Sequence, residues 1–324
     1  MLSRLGAIPN LHILENVPLS RYTRFAIGGP ARVLADASTD QALVESLQVI
    51  QEGGCPHTVI GGGTNLIASD DGYPGVVLRY TAPGIEFDGD VVHVEAGAVL
   101  QELVDATIDQ GLRGLETMTG IPGWVGGAIY GNAGAYGHSI NERVQSVRFF
   151  DGRDIREIGN AACEFRYRES IFKAHKEWIV LRASLTLEPA DAAELQATAD
   201  NILKIRNEKY PPTMRCAGSI FKNLLLAELP PCVRAQVPER VIREGKVPSA
   251  YFLEQAGAKG MCNGDIRVAD YHANLIYNDG GGTARQVREM VEELKRRVRG
   301  QSGLQLEEEV QYVGDSPVSQ ETRA

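Results

Sequence analysis

A run of eighteen residues, 120–137, contains seven glycines and constrains the fold more than any other part of this chain. It begins Gly120-Ile121-Pro122-Gly123 and contains no charged residue. Glycine weakens both helices and strands, so the run is a poor candidate for either. Because glycine has no Cβ, such a backbone can lie flat against a planar ring or a phosphate. A tightly packed turn region is the alternative, and the density of glycine favours the ligand surface.

A second glycine cluster, Gly61-Gly62-Gly63, follows the apolar segment Thr58-Val59-Ile60, which is predicted to be a buried strand. Successive exposed N–H groups in such a loop form an anion-binding nest that suits a pyrophosphate. The cluster is neither GxGxxG nor a Walker A loop, because no Gly-Lys-Ser/Thr follows. A plain tight turn explains this cluster about as well.

Composition limits the classes of partner. The chain has 324 residues and a net charge of -9, which argues against nucleic acid or an anionic membrane as a partner. Five cysteines lie apart without a CxxC pair, as expected of reduced thiols in a cytoplasmic protein. No apolar run reaches the ~18 residues that a membrane span needs. We expect a monomer in the cytoplasm.

Local signals predict several elements. An extended arm at 1–19 and a short strand at 22–31 come first, and Ser38 or Thr39 is expected to cap the helix that follows. Asp151-Gly152 predicts a hairpin, and Thr283 with Gln286 predicts a capping box for a late amphipathic helix. Residues 314–324 are predicted to be a frayed tail.

The expected fold class is α+β with three domains. The predicted boundaries are 1–80 and 81–206 for two α/β domains and 207–304 for a C-terminal α+β domain, with a strand and the tail in 305–324. Residues 224–249 carry four prolines and are predicted to be an irregular loop with one short helix.

Two further stretches combine residue types that suit catalysis. Residues 164–173 alternate aromatic and basic residues, so an extended backbone would place Arg166 and Arg168 on one face; a solvated edge strand is the alternative. Residues 218–223, Gly-Ser-Ile-Phe-Lys-Asn, put a hydroxyl, a cation and an amide beside a flexible turn. Taken alone, this second stretch fits an ordinary turn with Phe221 in the core.

Taken together, the motifs resemble the UDP-N-acetylenolpyruvoylglucosamine reductase family of flavoenzymes. The resemblance covers about residues 22–314 and rests on six stretches in the family's order: Tyr22-Thr23 through Ala31, Gly61 through Asn65, Gly120 through Gly137, Phe165 through Ser170, Gly218 through Asn223, and Leu306 through Val310. Each motif is modest, but the ordered set is highly specific.

The resemblance implies FAD held between the two N-terminal domains, NADPH as the hydride donor and UDP-N-acetylglucosamine enolpyruvate as the substrate. The implied catalytic residues are Ser219 as proton donor with Arg168 and Glu309. The implied substrate-binding residues are Tyr136, Tyr167, Lys209, Asn223 and Gln255. The implied cofactor-binding residues are Gly61, Gly62, Gly63, Thr64, Asn65, Thr119, Gly120, Ile121, Pro122, Gly123, Gly126, Gly127, Asn132 and Gly134. No metal is implied.

The implied chemistry explains these residue types. Hydride addition to the vinyl group leaves an enolate, which a permanently cationic arginine can stabilise. A serine hydroxyl is a weak acid, so Ser219 needs a basic enolate or a neighbouring cation, for which Lys222 is a candidate. Glu309 can donate a hydrogen bond only if protonated, which desolvation near another acid would favour.

Some positions depart from the family's pattern: Trp124, Leu224 and Gln311 stand where other members carry different residues. Two other functions are open. A flavin oxidase with another substrate fits the glycine motifs but not residues 209–223 and 306–310. A catalytically dead binder does not fit intact Arg168, Ser219 and Glu309.

Overall fold

The computed structural model describes residues 1–314, so most of the predicted tail lies outside the described part. Its α-helices are α1 (Leu2–Leu5), α2 (Asp40–Glu52), α3 (Leu100–Asp109), α4 (Val125–Tyr130), α5 (Ile171–Ala174), α6 (Ala192–Lys209), α7 (Pro231–Arg234), α8 (Ser249–Gln255) and α9 (Ala284–Ser302). Over the described range, none of them has the length and apolar character to cross a membrane.

The strands mix parallel and antiparallel pairs. They are β1 (Leu11–Pro18), β2 (Pro30–Ala37), β3 (His57–Val59), β4 (Leu66–Ala68), β5 (Tyr73–Tyr80), β6 (Ile85–Asp88), β7 (Val91–Glu95), β8 (Leu112–Arg113), β9 (Gly134–Ala135), β10 (His138–Ser139), β11 (Val144–Phe150), β12 (Ile155–Gly159), β13 (Ile179–Thr186), β14 (Glu188–Pro189), β15 (Cys216–Ser219), β16 (Leu224–Leu225), β17 (Lys246–Val247), β18 (Cys262–Asn263), β19 (Ile266–Ala269), β20 (His272–Asn278) and β21 (Gln311–Val313).

The contacts divide the chain into two compact units. The first unit comprises Met1–Glu15, Val33–Gly63 and Val76–Thr213. The second comprises Asn16–Arg32, Thr64–Gly75 and the chain from Met214 onward. Two N-terminal segments therefore belong with the C-terminal third of the chain, which the sequence did not predict. The division into three domains at 80, 206 and 304 stays a prediction.

The first unit is built around a five-stranded antiparallel sheet of order β12-β11-β13-β7-β6. Its core continues onto α2, whose Leu43, Leu47 and Ile50 are buried as the apolar spacing predicts. Thr39 caps α2 by accepting a hydrogen bond from Ala42 N, which confirms one of the two predicted caps. The β11–β12 pair confirms the predicted hairpin at Asp151-Gly152.

The second unit contains a four-stranded antiparallel sheet of order β15-β20-β19-β18, covered by α8 and α9. The predicted capping box of α9 is present, because Thr283 and Gln286 bond each other's backbone amides. The buried stripe of α9 is the predicted one: Val287, Met290, Val291, Leu294 and Val298. Residues 224–249 contain one short α-helix, α7, as predicted, but they also hold two 3-10 helices and the β16–β17 pair, so the segment is less irregular than predicted.

Several local predictions were wrong, and tertiary contacts explain them. Helix α4 forms inside the glycine run, because Gly126 lets it approach Ala96: a Cβ there would stand 2.9 Å from the Ala96 Cβ. Residues 1–19 begin with helix α1, and only the part that forms β1 is extended as predicted. The predicted strand at 22–31 is irregular until β2 begins at Pro30, and its backbone is pinned by hydrogen bonds such as Gly29 N to Ser69 O (2.8 Å).

A partly buried acidic cluster lies where α2 meets the strands β5 and β7 in the first unit. The Tyr80 hydroxyl lies 2.7 Å from Asp40 Oδ1 and 2.8 Å from Glu95 Oε2. A single hydroxyl proton cannot serve both carboxylates. Burial raises the pKa of Glu95, and the hydrogen bond from Tyr80 and the charge of Arg182 only partly oppose that rise. Burial together with the two carboxylates also raises the pKa of Tyr80.

We predict that Glu95→Gln removes a pH-dependent loss of stability. A carboxyl whose folded-state pKa is raised stabilises the fold below its unfolded pKa, near 4.5, and this contribution is lost as the pH rises through the folded pKa. Relative to the parent protein, the variant should therefore gain thermal stability between pH 4 and pH 7. Melting temperatures at several pH values check this; a constant difference across that range would contradict it.

Candidate active site

Two glycine-rich loops meet in the first unit. A Cβ placed on Gly62 would stand 3.2 Å from Trp124 Cδ1 and 3.3 Å from the Gly123 Cα, so the loop at 61–63 lies against the start of the 120–137 run. Arg79 stacks over the Trp124 ring, with its guanidinium carbon 5.4 Å from the ring centroid. The two nests predicted separately thus form one surface.

This surface fits a flat, anionic cofactor. A Cβ on Gly61 or on Gly127 would meet no atom within 4 Å, so both backbones face open space. Helix α4 is held in place from behind, because Val125 N donates to Ala98 O (2.9 Å) and Gly126 N donates to Ala96 O (2.8 Å). Bare backbone that is rigidly supported can pack against a ring or phosphate without a side chain in the way.

Other residues predicted to bind the cofactor support this surface from within the protein. Thr119 Oγ1 donates to Glu116 O (2.8 Å), and Gly120 N donates to Gln101 Oε1 (2.7 Å). The buried Asn132 side chain donates to Arg166 O (2.8 Å). Thr64 and Asn65 belong to the second unit, and the three glycines that precede them belong to the first.

Arg168 is presented by a tight turn and not by the extended strand that its sequence suggested. Arg166 and Glu169 exchange both backbone hydrogen bonds, at 3.0 and 3.1 Å. Arg168 has φ 56°, the left-handed region. Its guanidinium donates to Gly134 O (2.9 Å) and stacks on Tyr167, 5.3 Å from the ring centroid. The glycine run therefore orients this arginine fork.

Two predicted substrate-binding residues lie at the periphery of the first unit. Tyr136 occupies the turn between β9 and β10 and is 45% exposed. Lys209 is the last residue of α6, and its ammonium lies 5.2 Å from the centroid of the Tyr210 ring. Tyr136 therefore offers an exposed aromatic surface and Lys209 a charged group.

In the second unit the chain brings Ser219 and Glu309 onto adjacent positions of one ladder. Residues 220–222 run antiparallel to 307–309: Glu309 N donates to Ile220 O (2.8 Å), and Lys222 N donates to Glu307 O (2.9 Å). Gly218, with φ 77°, starts the segment, and a Cβ there would face open space. Glu309 is thus bonded to the residue that follows Ser219, although the two predicted catalytic residues are 90 positions apart in the chain.

Glu309 is also fixed from its other side. Asn65 Nδ2 donates to Glu309 O (3.0 Å), and Gln311 N donates to Asn65 O (3.0 Å). The strand that follows, β21, pairs in parallel with β4. Asn65 was predicted to bind the cofactor, and the structure gives its side chain a partner on the Glu309 backbone.

Lys222, the predicted cation near Ser219, is buried and forms an ion pair with the exposed carboxylate of Glu307. This partner offsets much of the positive charge that Lys222 was expected to offer. Asn223 Oδ1 accepts a hydrogen bond from Ser249 N (3.4 Å) at the start of α8. Gln255 is the last residue of that helix and is exposed. It lies about 9 Å from Ser249 along the helix axis.

The fold and this site define a class, the flavoproteins: residues 31–154 match a family described as FAD binding domain. Residues 210–313 match the C-terminal domain of UDP-N-acetylenolpyruvoylglucosamine reductase. Curated reductases of that name are 58% identical over 96% of this chain and all of the relative (Solibacter usitatus) and 38% identical over 92% of this chain and 94% of the relative (Rubrobacter xylanophilus).

The crystal structure of the reductase from Thermus caldophilus superposes with a TM-score of 0.72 at 28% identity, covering 94% of this chain and 98% of that one. The chain belongs to the UDP-N-acetylenolpyruvoylglucosamine reductase family. The resemblance drawn from the ordered motifs is thereby confirmed, and so are FAD as the cofactor and the oxidoreductase class.

Proposed function

We propose that this chain reduces UDP-N-acetylglucosamine enolpyruvate to UDP-N-acetylmuramate with NADPH, a step in making peptidoglycan precursors. Membership of the reductase family supports the reaction. The structural observation that carries it for this chain is the pairing of residues 220–222 with 307–309, which bonds Glu309 to Ile220, the residue that follows Ser219. A protein that only bound flavin would have no need of this pair.

The glycine surface is proposed to hold FAD. Gly61, Gly62, Gly63 and the α4 glycines, Gly126 and Gly127, supply bare backbone, and Thr119 and Asn132 hold the loops in shape. When bound, FAD relays hydride from NADPH to the substrate. Gly120, Ile121, Pro122, Gly123 and Gly134 belong to the same proposed surface, and Thr64 and Asn65 continue the proposed site by sequence.

Arg168 is proposed to stabilise the negative charge that develops on the enolpyruvyl carboxylate. The guanidinium has five N–H donors; the Gly134 carbonyl accepts from one at 2.9 Å and the Asn132 carbonyl from another at 3.4 Å. An arginine that is already oriented need not reorganise as the charge forms.

Ser219 is proposed to hold the proton that is delivered to the enolate carbon, and Glu309 to assist beside it. Because Lys222 is paired with Glu307, the acidity of Ser219 relies mainly on the strong basicity of the enolate itself.

Five further residues are proposed to hold the nucleotide-sugar. Tyr136 and Tyr167 offer aromatic faces, Lys209 a cation for phosphate, and Asn223 and Gln255 amides for the sugar. The exposure of Tyr136 and Gln255 supports these roles. A cytoplasmic location and a monomeric state stay predictions.

The experiment that tests the function follows the flavin colour of the purified protein. We expect NADPH to bleach it anaerobically and UDP-N-acetylglucosamine enolpyruvate to restore it within the dead time of manual mixing. A flavin oxidase with another substrate would be yellow but would not complete the cycle of bleaching by NADPH and restoration by this substrate. A colourless protein that cannot be loaded with FAD would contradict the proposal altogether.

We predict that the FAD is bound without a covalent link. The histidines near the glycine loops have other roles: His93 Nδ1 lies 2.9 Å from Ser184 Oγ and His138 Nδ1 lies 2.9 Å from Glu142 Oε2, while His57 lies on β3. Acid precipitation should release all of the flavin into the supernatant. A pellet that stays yellow after washing would show the prediction to be wrong.

A further inference from the structure

The backbone that carries Ser219 is held on both edges, by different means. On one edge, residues 220–222 pair with 307–309. On the other edge, β20 pairs with β15 as far as Ser219, which stands opposite Leu275. Beyond Ser219 the side chain of Asn274, also on β20, continues the pairing: its Oδ1 accepts from Phe221 N (2.9 Å) and its Nδ2 donates to Phe221 O (2.8 Å). The main chain of Asn274 also takes part, because its carbonyl oxygen accepts a hydrogen bond from Ile220 N (3.1 Å).

Ser249 completes this arrangement. Its hydroxyl accepts from Asn274 Nδ2 (2.8 Å) and lies 3.4 Å from Phe221 O, to which it donates. Its backbone N–H donates to Asn223 Oδ1 (3.4 Å). Ser249 is the first residue of α8, so one small network joins the Ser219 segment to the helix that ends at Gln255.

The network is buried, which makes its geometry strict. Asn274 is 3% exposed and Ser249 is fully buried, as is almost all of Phe221. A buried backbone group that loses its partner pays its full desolvation cost. The amide of Asn274 satisfies the N–H and the C=O of one residue at once, and no apolar side chain of that size can do the same.

We propose that Asn274 is a positioning residue for the reductase reaction: it fixes the backbone of Phe221, and through it the placement of Ser219 two residues before and Asn223 two residues after. The inference rests on the proposed function of Ser219 and concerns a residue with no proposed contact to substrate or cofactor. Ser249 supports the same amide. Disrupting the network should slow the half-reaction that uses Ser219. It should not change the rate at which NADPH reduces the flavin.

The first test is Asn274→Leu, a change of similar volume that removes the amide. We expect flavin reoxidation by the enolpyruvyl substrate to slow by about 10- to 100-fold, since displacements of about 1 Å can cost 100-fold. Reduction by NADPH should stay within about twofold of the parent rate. Hydrogen exchange in peptides covering 218–223 should rise, because the Phe221 N–H loses its acceptor. Unchanged reoxidation in a folded variant overturns the proposal.

A matched control is Asn278→Leu, on the same strand. Asn278 is also buried and also bonds backbone, accepting from Gly280 N (3.1 Å) and Gly282 N (2.9 Å). It should lose stability as Asn274→Leu does, without selective slowing of reoxidation. If both variants slow reoxidation alike, the effect is general loss of stability and the proposal falls.

A second variant, Asn274→Asp, gives a readout that loss of packing cannot mimic. A protonated carboxyl can accept from Phe221 N and still donate once, whereas the ionised form turns two acceptors toward Phe221 O. Reoxidation should therefore approach the parent rate at low pH and fall as pH rises. A ratio of variant to parent rate that does not change with pH overturns the proposal, even if Asn274→Leu fails to fold.

The ratio of variant to parent reoxidation rate cancels the pH dependence that comes from groups present in both proteins. The charged or titratable side chains on elements around Asn274 are Lys222, Glu307, Glu308, Glu309, Cys216, Tyr251, Glu254, Arg267, His272 and Tyr277. If the substrate does not reoxidise the flavin of the parent protein, the proposed function fails. If the parent and the variant are both reoxidised at the normal rate, only the proposal about Asn274 fails.

Discussion

Ser219→Ala is expected to reduce its flavin with NADPH at close to the parent rate and to reoxidise it about 100- to 10,000-fold more slowly, since positioned acids contribute factors of that order. The reason is the order of events. The proton is needed only after hydride has reached the substrate, so flavin reduction does not use the serine. Stopped-flow absorbance of the flavin, run separately for each half-reaction, measures both rates.

The control for this prediction is Ser219→Cys, which keeps nearly the same shape with a more acidic proton and should recover part of the lost rate. An alternative role for Ser219 is a turn hydroxyl that only bonds backbone. In that case the alanine variant would lose on the order of 1 kcal/mol of stability and keep both half-reactions. Equal slowing of both halves would point to damaged flavin binding and also refute the role of proton donor.

Arg168→Lys is expected to slow flavin reoxidation by about 100- to 1,000-fold, the range seen when a preorganised donor at a developing charge is removed. The lysine keeps the charge but not the planar fork. In the structure that fork already donates to Gly134 O (2.9 Å) while it stacks on Tyr167. An ammonium group cannot hold the carbonyl and a substrate carboxylate in the same plane. Half-reaction kinetics and substrate affinity are the measurements.

Arg166→Lys is the matched control, two residues away in the same turn. Its guanidinium lies 3.7 Å from Glu164 and its side chain is 77% exposed, so exchange for lysine should change the rate by less than about twofold, as for most exposed ion pairs. Near-parent turnover in Arg168→Lys would mean that this arginine does not meet the substrate. Equal losses in the two variants would assign the effect to the turn itself.

Much of the site could be predicted because its signals are local. The glycines at 61–63 and 120–137 predict backbone that is not covered by side chains. The spacing of Thr283 and Gln286 predicts the start of α9. Such features depend on residues within a few positions of each other, so the printed sequence contains all of the relevant chemistry. The ordered motifs by themselves identify the reductase family.

Local pattern was misleading where a tertiary contact outweighed it. Helix α4 forms despite its glycines because close packing on Ala96 requires them. The alternation around Arg168 predicted a strand, but the segment closes into a four-residue turn with Arg168 at φ 56°. Neither the approach to Ala96 nor a positive φ at an arginine has a signature in composition or periodicity.

By itself the sequence determined the family, through its ordered motifs. The roles of Arg168, Ser219 and Glu309 follow from that resemblance and stay predictions. Tertiary structure decided what stands next to each. Asn65 and Glu309 are 244 positions apart yet share a hydrogen bond, and Asn274 lies 53 positions from the Phe221 amide that it satisfies. In each case a side chain satisfies a backbone group of a residue that is distant in the chain. Which groups these are depends on the tertiary structure, and no local pattern in the sequence predicts them.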